Sequence, residues 1–99
     1  MIDLLRELQP LRSRYWKISV PHTYQAIVEA NNRKVSIVKS KGTHGLYELY
    51  SPKIFTDIRR IKDPATAAYA IKYVLEEGRL PDNIRFESTL LDLLDALFG

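Results

Sequence analysis

Ninety-nine residues, 45% of them hydrophobic and 27% charged, suffice for one globular core and leave no room for a second. The lack of cysteine excludes disulfides, thiolate nucleophiles and cysteine-ligated metals, and no apolar run approaches the ~20 residues that span a bilayer. The net charge of +3 is unevenly spread: residues 1–62 hold twelve Lys/Arg against five Asp/Glu (+7), and residues 63–99 hold three against seven (−4). The first part suits an anionic partner and the second a cationic one, unless both are solvated faces.

In chain order, Ile2, Leu4, Leu5 and Leu8 have helical spacing that Pro10 stops, so a short helix is expected over residues 2–8. Asp3 and Glu7 among these leucines argue against a signal peptide, and an intracellular protein is expected. RYWKISV, residues 14–20, alternates, with Trp16, Ile18 and Val20 on one face and Tyr15, Lys17 and Ser19 on the other. It reads as a half-buried strand ended by Pro21. Residues 22–33 are open to two readings. Tyr24, Ile27 and Val28 allow a helix, whereas a turn at Asn31-Asn32 makes the segment a strand of a meander, because Asn tolerates left-handed φ. The meander is preferred, since the alternative crossover is too short for its task.

KVSIVKS, residues 34–40, alternates with Val35 and Ile37 inward, and LYELY, residues 46–50, is rich in strand formers. Between them stands SKGTHG, residues 40–45. A phosphate-binding loop needs GxxxxGK, then Ser or Thr, then a helix; here the spacing differs and a strand follows, so a hairpin is expected. Ile54, Phe55, Ile58 and Ile61 restart helical spacing, with Ser51 as cap and Pro52 at the first helical position; a strand is the alternative. The plainest helix is DPATAAYAIKYVLEEG. Asp63 caps it, Pro64 opens it, Gly78 ends it, and Ile71, Val74 and Leu75 face the core. NIRF, residues 83–86, is a candidate edge strand. Ser88 then caps a last leucine-rich helix, whose Leu90, Leu91, Leu93, Leu94, Leu97 and Phe98 make a stripe wider than the ~100° of a surface helix. That width suggests a homodimer interface. The fold class expected is α+β, an antiparallel sheet of three to five strands covered on one face by helices.

No GxSxG, DxDxDG, GxGxxG or HExxH motif is present, and two histidines make a poor metal site, so neither cofactor nor metal is expected. His22 and His44 sit in turns. They suit exposed turn residues, or at most an acid–base pair of a small nuclease. The richest candidate site is basic and aromatic: Arg12, Arg14, Tyr15, Lys17, Arg33, Lys34, Lys39 and Lys41, opposed between residues 12 and 41 only by Glu29. In a meander, Tyr15, Lys17, Lys34 and Ser36 share the open face, where aromatics can stack bases and lysines meet phosphates. The competing reading makes Trp16 core and the lysines the wet side of the sheet.

RYWKISV, LYELYSPKIF, DPATAAYAIKYVLEEGRLPDN and the leucine-rich tail together resemble a family of roughly hundred-residue proteins of filamentous archaeal DNA viruses, the lipothrixviruses and rudiviruses. The resemblance implies a compact α/β protein that forms a homodimer in the cytoplasm of the infected cell. Some related rudiviral proteins look like anti-CRISPR inhibitors that bind a host complex by protein–protein contact. One methionine, two Gln and three Asn beside many Lys, Arg and Glu also fit a hot habitat. The leading expectation is a non-enzymatic viral accessory protein that binds an unidentified host or viral protein. The alternative is a nucleic-acid-binding accessory or regulatory protein that uses the basic segment.

Overall fold

The computed structural model describes residues 1–40 and 45–87. Helix α1 (Ile2–Leu8) runs into a 3₁₀ turn at Gln9–Leu11, then five strands follow, β1 (Lys17–His22), β2 (Gln25–Ala30), β3 (Arg33–Lys39), β4 (Tyr47–Tyr50) and β5 (Arg59–Ile61), and last helix α2 (Pro64–Glu77). The strands form one antiparallel sheet in the order β1-β2-β3-β4-β5, so each pairs with its neighbour in sequence. The meander is therefore formed, and residues 25–30 are strand rather than helix.

Its first tight turn is set by two residues. Asn31 and Asn32 have φ of 55° and 60°, and Ala30 pairs with Arg33 across them. Two successive positive φ values match the right-handed twist of the flanking strands, and Asn is the side chain that adopts them at least cost. SKGTHG does join an antiparallel pair, β3 to β4, with Gly45 at φ 69°. The helix over 64–77 has the expected ends: the Asp63 carboxylate accepts from the Thr66 N–H at 2.8 Å, and Gly78 sits at φ 74°.

Three expectations change. β1 begins at Lys17 rather than Arg14 and passes through Pro21 to His22. Pro lacks the N–H a central strand needs, but β1 is an edge strand, and its register with β2 slips between Ser19 and His22. Residues 51–61 form no helix. One turn closes as the Ile54 and Phe55 N–H groups both donate to Ser51 O at 2.9 Å; the chain then enters β5, the alternative reading. The Ser51 hydroxyl, expected as a helix cap, instead donates to Lys34 O of β3 at 2.6 Å and is buried, and Ile58 of the supposed stripe is 46% exposed. NIRF is not a strand; a single bridge forms one residue later, with the Glu87 N–H donating to Arg60 O at 2.7 Å.

The core lies between the sheet and the two helices. Ala26, Val28, Val35, Ile37, Leu49 and Ile61 come from one face of the sheet; Leu4 and Leu8 come from α1, and Ala67, Ala68, Ala70, Ile71, Val74 and Leu75 from α2. Small alanines let α2 approach closely, and burial of the large aliphatic side chains contributes roughly 1.5–3 kcal/mol each. Among the described residues no helix covers the opposite face. The last leucine-rich helix and its interface residues Leu90, Leu91, Leu93, Leu94, Leu97 and Phe98 lie outside the described residues, as do Lys41 and His44.

Candidate interaction surface

Strand register determines which side chains meet on the face that no described helix covers. Three rows run across it: Lys17–Glu29–Lys34, then Ser19–Ile27–Ser36–Tyr50, then Gln25–Val38–Glu48–Arg60. Side chains directly opposite in such rows interact, and opposite charges placed so are favourable. Lys34 Nζ meets Glu29 at 3.6 Å, with both side chains well exposed. Arg60 meets Glu48 at 3.0 Å with only 18% and 21% of their side chains exposed, so this second pair is the firmer one. Gln25 donates to the Ser36 hydroxyl at 3.2 Å, linking two rows diagonally. Ile27 and Val38 are half-buried and Tyr50 is 43% exposed, so three apolar or aromatic side chains surround Ser36 near the middle of the face, with a charge pair to either side.

The basic segment does not gather into one patch. Lys17 and Lys34 share the first row of the open face, as the alternation predicts. Arg33 and Lys39 have the opposite parity in β3 and fall on the helix side with Val35 and Ile37. There Arg33 donates from one terminal nitrogen to Leu75 O at 2.8 Å and Glu76 O at 3.1 Å, at the carbonyl-rich end of α2. The Lys39 ammonium lies 5.3 Å from the centre of the buried Tyr47 ring. Burial first, and the Lys39 charge second, hold the Met1 amine below its ordinary pKa.

Arg14 and Tyr15 precede β1 instead of lying in it, and Arg12 precedes them. Arg14 stacks over the Tyr15 ring at 5.1 Å and donates to its hydroxyl at 3.1 Å, leaving the ring 72% exposed. Trp16 is buried, as the core reading of that residue expects. His22 lies parallel to the Tyr24 ring at 5.1 Å, an exposed stacked pair at the β1–β2 turn.

Neither sheet edge is a free template for another strand. β1 carries Lys17, Pro21 and a register shift, and β5 has three residues with Glu87 bonded beyond it; natural sheets discourage edge pairing by such means. Residues that alternation alone did not single out are Ile27, Val38, Tyr50 and Lys53. Their grouping depends on register and on the turn after β4, which no local pattern encodes. Among the described residues no cluster of three or more histidine or carboxylate side chains could hold a metal, and no helix is long and apolar enough to cross a membrane. No protein-family model, curated protein or solved structure matches the chain.

Proposed function

We propose that this chain is a non-enzymatic accessory protein that acts by binding another protein, with the face of its sheet that no described helix covers as the contact surface. One observation carries the reading: Ile27, Val38 and Tyr50 surround Ser36 on that face, with the Glu29–Lys34 and Glu48–Arg60 pairs to either side. Protein interfaces have this anatomy, an apolar and aromatic centre with charge displaced to the rim, and tyrosine is among their most frequent anchors. The likeness to proteins of filamentous archaeal viruses supplies the setting, an infected cell in which the partner is a host or viral protein and anti-CRISPR-like inhibition is one form of action.

A second reading, nucleic-acid binding, has one observation in its favour: Lys17 and Lys34 share a row of the open face with Tyr50 one row away. Against it, Glu29 stands between the two lysines, and Arg33 and Lys39 serve the other side of the sheet. A polyanion site profits from unopposed cations.

The test is partner capture from host lysate, followed by titration of the identified partner against wild type, Tyr50→Asp, and Lys17→Glu with Lys34→Glu. Tyr50→Asp is expected to weaken binding at least tenfold, roughly the effect of one interface anchor, with the melting temperature kept. Undiminished binding by Tyr50→Asp overturns the assignment of this face. If instead labelled DNA or RNA binds with log-linear salt dependence and the lysine variant loses it, the second reading replaces the first.

A further inference from the structure

Two adjoining hollows, of about 460 Å³ and 150 Å³, open beside the Asn31–Asn32 turn and share Asn32, Arg33, Lys34 and Lys53 in their walls. We propose that this notch is a binding site for a phosphate-class oxyanion, free or carried on a larger molecule. It lies at the turn end of the sheet, apart from the Ile27–Val38–Tyr50 centre, and does not depend on the protein-binding reading.

Three cations line the notch, and Glu29, the carboxylate on its wall, is already met by Lys34. The walls are held in place by fixed contacts. Arg33 is pinned by its two bonds to the carbonyls of Leu75 and Glu76, and Asn31 Nδ2 donates to the same Leu75 oxygen at 3.1 Å. Its Nε and second terminal nitrogen lie against Gly78, where an added Cβ would fall 3.1 and 2.9 Å from them, so Arg33 braces the wall and leaves the anion to the two lysines. Lys53 stands on a different segment, the turn after β4. That turn is fastened to β3 by the Ser51 hydroxyl on Lys34 O at 2.6 Å, and anchored inward by buried Phe55. Lys34 and Lys53 are thus brought to one notch by a backbone contact, although nineteen positions separate them in the sequence.

Two compact ammonium groups from separate segments, Lys34 and Lys53, suit an anion with several equivalent oxygens and more than one charge. Because the backbones are fixed before binding, ordering two lysine side chains is the main entropic cost.

The experiment is a titration of inorganic phosphate into the full chain at constant ionic strength, against chloride, followed by calorimetry and amide NMR shifts. Saturable binding is expected, with shifts centred on Asn32, Arg33, Lys34 and Lys53. Lys34→Ala with Lys53→Ala should weaken it at least tenfold, the order expected when charge-assisted bonds are lost. Both lysines are exposed, so this variant keeps its fold where Arg33→Ala would disturb α2. Shifts no larger than chloride produces, or unchanged affinity in the double variant, overturn the site. A short oligonucleotide with and without a terminal phosphate separates the sources. Preference for the terminal phosphate marks a discrete anion site. Equal, salt-sensitive binding of both oligonucleotides that the double variant loses marks a backbone phosphate in the same notch.

Discussion

Asp63 shows how one residue links local chemistry to stability. Its carboxylate accepts at 2.8 Å from both the Thr66 N–H and the Thr66 hydroxyl. These bonds favour the charged form, the side-chain bond most and the backbone bond next, and hold the carboxyl below its ordinary pKa. A group with a depressed folded pKa stabilises the protein above its unfolded value, about 3.9 for Asp, and that contribution is lost as pH falls through the folded value. Asp63→Ala is expected to cost about 1 kcal/mol at neutral pH, or ~4–8 °C in melting temperature for a domain this size. Asp63→Asn keeps an acceptor that does not titrate. Wild type should therefore lose ground to Asp63→Asn as the pH is lowered below about 4, followed by thermal melts across that range. Parallel pH profiles for the two proteins would remove Asp63 from the acid response.

At the scale of elements, the far end of α2 is held by a different part of the chain. The β2–β3 turn supplies Asn31 and Arg33 to the carbonyl of Leu75, and Gly78 follows at φ 74°. A Cβ on Gly78 would come within 2.9 Å of the Arg33 terminal nitrogen, on a side chain that two hydrogen bonds keep from moving aside. Gly78→Ala therefore meets both backbone strain, roughly 1–2 kcal/mol for a left-handed L-residue, and a displaced capping arginine. In an Arg33→Ala background only the strain remains. Denaturant titrations of the two single variants and the double should show a non-additive cycle, with the double less destabilised than the sum by more than about 0.5 kcal/mol. Additivity would mean that arginine and glycine do not communicate. Gly78 as a helix stop was legible in the sequence, because its signal is local. Arg33 was not, since its partner carbonyls lie more than forty positions away. The same distinction explains residues 51–61: spacing alone resembles a helix, but Ser51 is drawn into a contact with β3 and one turn is all that forms.

At the scale of the molecule, the first four strands of the meander were legible because each pairs with its neighbour, so alternation and turn chemistry pointed to them; β5 was not, because its three residues follow a helix-like spacing. The candidate site was legible only as charge. Alternation in β3 sends Lys34 to one face and Arg33 and Lys39 to the other, so a segment that is basic in sequence becomes two sides of a sheet. Association is the remaining question at this scale. A chain of 99 residues buries roughly 65% of the surface its unfolded form exposes, which leaves little stability in reserve. The sequence expectation for residues outside the described ones, a helix with Leu90, Leu91, Leu93, Leu94, Leu97 and Phe98 on one stripe, would give a stripe wider than one helix–core contact uses. If that stripe joins two copies, folding and dimerisation are linked by mass action, and the melting temperature must rise with protein concentration. Leu94→Asp should then sediment as a monomer with a melting temperature that no longer depends on concentration. Tyr50→Asp, on the face proposed for a different protein, should remain a dimer. Equilibrium sedimentation of the three proteins separates the possibilities. A wild type that is monomeric at every concentration ends the dimer proposal and leaves the open face untouched, whereas dissociation by Tyr50→Asp would make that face the contact between copies.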